Sequence, residues 1–283
     1  MCMLVLENLE IEIELPMYQV ESFYIKIAPN RHGNCNIFGV LSKNLVETIL
    51  TEQKDMDIHI KYDGKTLFRG FVEEIIVRPN ASVYHFELSA YTYSKKMDLE
   101  KRTELFQDVD RTYTTIAQDI LEKGSGSIRA YDVKDKRIEK PLLCYGESAW
   151  GFAMRMASNL QTCLYPDMAS NHIAVSMGVK EGRLVDPKDI TSESWEVKKY
   201  KGENPRAEYT LQSYCSYRIG DRIELGNRIL TLYEKKAVFQ HGELIFHFKA
   251  AEKKDIQEMY HPYQNENIVG LSLTGIVKRY ENF

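Results

Sequence analysis

The sequence predicts a chain of the α+β class, mainly β, in which two strand-rich regions flank a stretch that contains helices. Three observations predict it. Over the first ~100 residues apolar side chains recur at every second position, the period of a half-buried strand. Between residues 110 and 160 the apolar period lengthens to that of a helix. From about Ser194 alternation by two returns and runs to Ala250.

The first region opens with Leu9, Ile11, Ile13 and Leu15 alternating with Glu10, Glu12 and Glu14. Period two puts the three carboxylates on one face and the apolar set on the other. Pro16 ends the run. Strands are expected at 23–27, 58–62, 67–77 and 83–91. Asp63-Gly64 is a tight hairpin signal, and Pro79-Asn80-Ala81-Ser82 reads as the next turn. A short helix is expected at 44–52.

In the middle, Asp110 is placed to cap a helix whose apolar face is Tyr113, Ile116, Ala117, Ile120 and Leu121. Gly124 stops it. A second helix, 147–160, buries Ala149, Trp150, Ala153, Met156, Ala157 and Leu160. One short strand is expected within 128–138, and a hairpin from 163–165 and 172–177. Strands resume at 206–211, 222–225, 229–238 and 244–250, followed by a short helix or linker at 253–259. Residues 268–280 read as the opening of another strand. A strand cannot bury its face or satisfy its edge alone. The expectation is therefore that the sequence ends early or that a further domain follows.

Composition excludes several classes. No apolar run approaches the ~20 residues that span a bilayer, so no membrane anchor is expected. The N-terminus lacks the basic start and apolar middle of a secretion signal. Synthesis and retention in a cytoplasm are expected until a larger assembly carries the chain out. A net charge of -4 and a pI near 6.0 disfavour general nucleic-acid binding. The five cysteines (Cys2, Cys35, Cys144, Cys163, Cys215) are odd in number, scattered and without a Cys-x-x-Cys pair. Reduced, packed thiols are the simple reading.

Two segments share one layout. Residues 60–67, with Asp63-Gly64 at the turn, are followed by Tyr84-His85-Phe86-Glu87-Leu88. Residues 223–230, with Gly226-Asn227 at the turn, are followed by Phe246-His247-Phe248-Lys249-Ala250. Equating Ile60 with Ile223 and Phe86 with Phe248 leaves a one-residue difference that a turn absorbs. Coincidence and duplication both account for this, because the layout is common in β proteins. Duplication implies two related barrels around a mixed insert.

Candidate chemistry is sparse. His32 and Cys35 supply two metal ligands at most, whereas a structural zinc needs four; a turn built on Gly33 and Asn34 is preferred. Gly124-Ser125-Gly126-Ser127 follows a helix and lacks Lys-Ser/Thr, so it is a helix stop and not a phosphate cradle. Glu73 and Glu74 are adjacent and face opposite sides of a strand. His85 and His247 sit within strand patterns, and Lys198-Lys199-Tyr200-Lys201 reads as a solvated strand end. Neither a Gly-x-Ser-x-Gly elbow nor a His-Glu-x-x-His helix occurs. The expected lists of catalytic, cofactor-binding and metal residues are all empty, and no cofactor is expected.

Tyr145-Gly146-Glu147-Ser148-Ala149-Trp150-Gly151-Phe152-Ala153-Met154-Arg155-Met156-Ala157 resembles a recurring pattern. That pattern, Tyr-x-Glu-Ser/Thr and then aromatic-x-Phe-Leu-x-Arg-Leu-Ala at a helix start, belongs to the late control D and VgrG-like hub proteins of contractile tails. Ala153 and Met156 replace the usual leucines, and Gly151 departs too, weakening the helix by ~1 kcal/mol relative to alanine. Leu67-Phe68-Arg69-Gly70-Phe71-Val72 resembles the family's Phe-x-Gly-Ile/Val strand. Residues 88–94, with Met97-Asp98 and Leu105-Phe106-Gln107, resemble its barrel exit. Residues 217–223 resemble the start of its second barrel, and 271–278 the first strand of a following oligonucleotide/oligosaccharide-fold (OB-fold) domain. The resemblance spans residues 9–253.

The resemblance implies a hub architecture: a first β-barrel tube domain at 1–101, an α/β insert at 102–190, a second β-barrel tube domain at 191–255, and a linker with the first OB-fold strand at 256–283. It implies a non-enzymatic structural baseplate hub of a contractile phage tail or phage-derived injection machine. Such a hub is a homotrimer whose six similar units mate a six-fold tail tube to a three-fold spike. Tail tube protein, a spike or OB-fold spike domain and a tape-measure protein are the implied partners, in a virion tail or extracellular injection particle. Glu10, Glu12 and Glu14 read first as a solvated strand face; the alternative is that they line a bore, which they would make acidic and repellent to DNA. Trp150, Phe152, Phe86 and Phe248 are expected to matter for packing. Two other classes compete. A tail-associated cell-wall hydrolase requires clustered Asp or Glu in a deep cleft. A carbohydrate-binding β module would draw on the 18 tyrosines.

Overall fold

A computed structural model describes residues 2–6, 8–15, 17–41, 56–80, 83–199, 201, 204–270 and 272. The first region supplies β1 (Cys2–Leu6), β2 (Leu9–Ile13), β3 (Met17–Ile27), β4 (Asn34–Leu41), β5 (Asp57–Tyr62), β6 (Lys65–Asn80) and β7 (Val83–Tyr91). Alternation sets their inner face: Leu9, Ile11 and Ile13 are buried on β2, and Ile58 and Ile60 on β5. Asp63 and Gly64 both adopt positive φ, +50° and +69°, and join β5 to β6 in a two-residue hairpin. The second region supplies β13 (Leu184–Val185), β14 (Ile190–Lys198), β15 (Arg206–Ser213), β16 (Arg222–Leu225), β17 (Arg228–Gln240) and β18 (Glu243–Ala251), then helix α3 (Lys253–Glu258).

Thirteen of these strands form one sheet, in the order β1-β2-β5-β6-β7-β4-β3-β17-β18-β15-β14, with β16 beside β17 and β13 beside β16. The two regions meet where β3 pairs antiparallel with β17, Ile25 opposite Ala237 and Phe23 opposite Phe239. One core runs beneath both regions, from Leu9 through Phe68 and Phe86 to Phe246 and Ala250. Among the described residues no pairing closes this sheet into a barrel.

The insert has its own core. Helix α1 (Tyr113–Glu122) packs on α2 (Ala149–Asn159). β8 (Lys101–Phe106) pairs with β10 (Leu142–Ser148), and β12 (Ala174–Met177) lies between β11 (Leu164–Pro166) and β9 (Ser127–Ala130). The apolar faces read for both helices are buried, except that Leu160 is only partly covered.

Several boundaries differ from expectation. The cap of α1 is Thr112, through a reciprocal box with Thr115, while Asp110 turns outward to Arg137. Asn34 and Cys35 open a strand, not a turn; the reversal before them sits at Asn30, with φ +56°. Pro79 and Asn80 lie within β6 and not in the expected turn, whose other two positions, 81 and 82, lie outside the described residues. β8 and β10 form a short ribbon that the apolar period did not mark; among the described residues each pairs only with the other, and β10 slips between Tyr145 and Glu147. The expected helix at 44–52 and most of the expected strand at 268–280 lie outside the described residues; Glu266–Ile268 is one 3-10 turn.

The two regions repeat one another strand by strand. β6 bulges between Val72 and Glu74 against β7, and β17 bulges between Leu232 and Glu234 against β18. Superposing these bulges equates Val77 with Ala237, Phe86 with Phe246 and Leu88 with Phe248. A second bulge matches as well: β3 slips against β4 between Val20 and Ser22, and β14 slips against β15 between Ile190 and Ser192. β3 through β7 thus correspond to β14 through β18 in chain order and in sheet order. A bulge re-aims a strand and is a designed feature of a sheet, so two matching bulges carry more weight than a shared turn. The structure also corrects the pairing drawn from the sequence. Ile58, not Ile60, corresponds to Ile223, and Phe86 corresponds to Phe246, not Phe248; a shift of two keeps every side chain on its face.

Candidate functional site

The arrangement that could do work here is made of strand edges and anchoring contacts. The internal junction is the reference. Phe23 and Phe239 stack across it with ring centroids 5.3 Å apart and 14° between planes. Ile25 is 4% exposed beside Ala237. On the opposite face Lys26 pairs with Glu234 at 3.0 Å. Beside this junction Lys235 lies over the Phe246 ring and donates to Ser216 Oγ at 2.7 Å; burial pulls its ammonium down to about 8.

The motif around Trp150 anchors the insert to the first β region. Ser148 caps α2 by accepting from Gly151 N at 3.0 Å, and its hydroxyl donates to Asp98 Oδ1 at 2.7 Å. Asp98 Oδ2 lies 2.9 Å from His32 Nε2, while His32 Nδ1 lies 2.9 Å from Ser94 Oγ. The His32 ring packs 4.3 Å from the Trp150 ring. Burial raises the Asp98 carboxyl, but hydrogen bonds from His32 and Ser148 outweigh it and hold the group below the usual carboxylate range. A Cβ at Gly151 would lie 3.3 Å from Ser148 Oγ, so the departure from the family pattern leaves the capping hydroxyl room.

Glu147 and Arg155 of the same motif form a buried, two-pronged ion pair, at 2.9 and 2.7 Å, and Arg155 also donates to Leu143 O at 2.7 Å. The guanidinium lies over Phe152, which stacks on Phe106. In the sequence these residues stand only within the family pattern; a Glu and an Arg eight apart across a helix cap are the signal for the pair.

Of the acidic strand, Glu10 lies opposite Lys61 and Glu12 opposite His59. Lys61 reaches both Glu10 and Glu12. Its hydrogen bond, ahead of burial, which acts the other way, holds Glu12 below the usual carboxylate range. Burial pulls His59 down, against the pull of Glu12. Two of the three carboxylates are thereby partly neutralised within the sheet.

His32 and Cys35 do not converge: His32 is spent on Ser94 and Asp98, and Cys35, on β4, is fully buried. Among the described residues no group of three or more His, Cys, Asp and Glu is placed to hold a metal ion. Glu73 and Glu74 are exposed on β6. His85 faces Glu21 at 3.8 Å, and His247 is half-buried on β18. Lys198 is engaged by Glu208 at 2.6 Å and Glu196 at 3.1 Å. Gly124 closes the helix end onto Leu121 O. Phe86, Phe152, Trp150 and Phe248 are all buried. The exposed aromatics Tyr18, Trp195, Tyr214 and Tyr263 sit on separate elements.

No family model matches the sequence, and no curated protein is significantly similar to it. Solved structures are similar in fold. A 43 kDa tail protein of the prophage MuSo2 from Shewanella oneidensis superposes with a TM-score of 0.66 at 9% identity, over 89% of this chain and 98% of that one. A tail protein from Neisseria meningitidis gives 0.68 at 7% identity, over 90% and 99%. An Escherichia coli component of the type VI secretion system, described as structurally similar to the bacteriophage T4 tail proteins gp27 and gp5, gives 0.65 at 12% identity, over 90% and 79%. The chain therefore has the fold of phage tail proteins, mainly β with a minor helical part.

Proposed function

We propose that this chain is a structural hub of a contractile tail or related injection machine, joining a six-fold tube to a three-fold spike. One observation carries the proposal: a single chain holds the same five-strand unit twice, with bulges at equivalent places, in a fold shared with tail proteins. Three copies would present six similar units to a tube and three chain ends to a spike, which is what a symmetry adaptor requires. On this reading residues 1–101 and 191–255 act as tube domains, and three copies together complete a barrel that no pairing among the described residues of one chain closes. Residues 102–190 brace the outside through the Ser148–Asp98–His32 anchor.

The partners are a tube protein, a spike or OB-fold spike domain, and a tape-measure protein. No residue is assigned to catalysis. The chain is made in a bacterial cytoplasm and ends in the particle. Light scattering on the purified chain is the direct test, with three copies as the expected mass. Mixing with a six-fold tube ring and imaging by electron microscopy is the second, with the chain seated at one end of the ring. A chain that neither self-associates nor caps a ring overturns the proposal.

A further inference from the structure

The insert, the second β region and α3 meet around a cavity of ~240 Å³. The insert lends Tyr131, Cys163 and Val179 to its wall, β17 lends Ile229, and α3 lends Ile256, with Tyr260 just beyond it. Main-chain hydrogen bonds hold the segments that frame it. Tyr131 N donates to Met177 O and Gly178 N to Cys163 O, both at 2.8 Å. Gly182 N donates to Gly220 O at 2.9 Å, and Arg222 N to Arg183 O at 2.8 Å. Gly220, at φ +92°, permits this close approach, since a Cβ there would lie 2.0 Å from Lys180 O. The space is therefore set by backbone and largely preformed, as ligand sites usually are.

The charges on its wall cancel. Arg222 reaches Glu181 at 2.8 Å, Lys253 pairs with Asp132, and no other charged residue lines the cavity among the described residues. Two polar atoms of lining residues remain unspent: among the described residues, Tyr260 Oη and Arg222 Nε are buried without a hydrogen-bond partner. Burial pushes the Tyr260 hydroxyl above its ordinary range, so it keeps its proton and stays a donor. The neighbouring Tyr165 hydroxyl is already committed, donating to Tyr233 O at 2.8 Å. A buried donor with no acceptor is costly, and a ligand that brings the acceptor removes that cost.

We infer that this cavity binds a small uncharged aromatic molecule carrying one hydrogen-bond acceptor for Tyr260. Size supports it. An apolar cavity of ~150 Å³ is enough for benzene, so ~240 Å³ suits about ten heavy atoms, two fused rings. Wall chemistry supports it as well. Val179, Ile229 and Ile256 offer water nothing, whereas a buried water needs two to four polar partners. A charged ligand would lack a free counter-charge, because both cations and both anions on the wall are already paired. The site is independent of the hub role and of the number of copies that assemble.

Quinoline and benzene test it, by ligand-observed NMR titration of the full 283-residue chain. Both are apolar rings, and only quinoline carries an acceptor, its ring nitrogen. Quinoline should bind with a Kd below about 1 mM. Tyr260→Phe removes the hydroxyl alone and should weaken quinoline about tenfold, the worth of one hydrogen bond, while leaving benzene unchanged. Ile229→Trp adds bulk on the cavity wall at a position 57% exposed, where the fold tolerates it. It should abolish binding of both probes with unchanged far-UV circular dichroism. Failure of quinoline to bind the unaltered chain, or binding that survives Ile229→Trp, overturns the site. A Tyr260→Phe variant that binds quinoline as well as the unaltered chain does, or that loses benzene to the same degree, overturns the assigned acceptor and with it the class of ligand.

Discussion

β3 and β14 are the same strand in two settings. Both pair with an equivalent neighbour, β4 or β15, and both slip by one residue at an equivalent place. β3 has a second neighbour in β17, and its Phe23 and Ile25 are 1% and 4% exposed. β14 has no second neighbour among the described residues, and Trp195, the counterpart of Ile25, is 64% exposed. The difference teaches that burial in this fold is a property of junctions between units and not of the strand itself. Where Phe23 meets Phe239, the sequence spends an aromatic pair; at the counterpart of Phe23 on β14 it places Glu193.

The largest expected effect breaks the filled junction. Phe23→Ala should cost ~3–5 kcal/mol, the loss typical of truncating a buried aromatic, read as a fall in the urea midpoint with an unchanged slope. A loss under ~1 kcal/mol would mean that the β3–β17 seam is not part of the cooperative core. Next is the insert. Arg155→Met removes one member of a buried ion pair and strands Glu147, which should cost ~3 kcal/mol. Restoring Glu147→Leu in the same chain should return much of that loss; no recovery would argue against the pair as the cause.

A smaller effect concerns pH. The folded-state pKa of Asp98 lies below its ordinary value. The folded state therefore binds this proton less readily, and the stability it confers is present above the ordinary value near 3.8 and lost as pH falls below it. Asp98→Asn should flatten the acid side of a stability–pH profile, with a loss at neutral pH on the order of 1 kcal/mol. An unchanged acid slope would place the anchor's charge elsewhere. The smallest effect sharpens the comparison with the first: Glu193→Ala, at the counterpart of Phe23, should shift the unfolding free energy of the dilute chain by no more than ~0.5 kcal/mol.

Much of this was legible in the residues. Alternation placed β2, β5, β7 and β18 because each has one face on the core and one face outward, the condition under which period two reports burial. The buried faces of α1 and α2 were legible for the same reason at period 3.6. β8, β10 and β4 were not. β8 and β10 make a two-stranded ribbon with little inner face, and the start of β4 was masked by Gly33 and Asn34, which favour turns in isolation. The anchor among His32, Asp98 and Ser148 joins residues 50 and 66 positions apart, and no local pattern marks such a meeting.

The sequence by itself determined which face of each strand and helix is apolar, that a strand–turn–strand layout occurs twice, and that a helix begins near Ser148. Those are local matters of side-chain period, turn chemistry and capping, settled within a few residues of chain. Only the tertiary structure decided that the repeat aligns on its bulges, that Glu147 and Arg155 pair largely out of water, and that one copy of the unit is sealed by a neighbouring strand while the other has none beyond β14 among the described residues. Register and edge pairing are set between segments far apart in the chain, where the energy comes from matching whole surfaces, and a one-dimensional pattern does not carry that match.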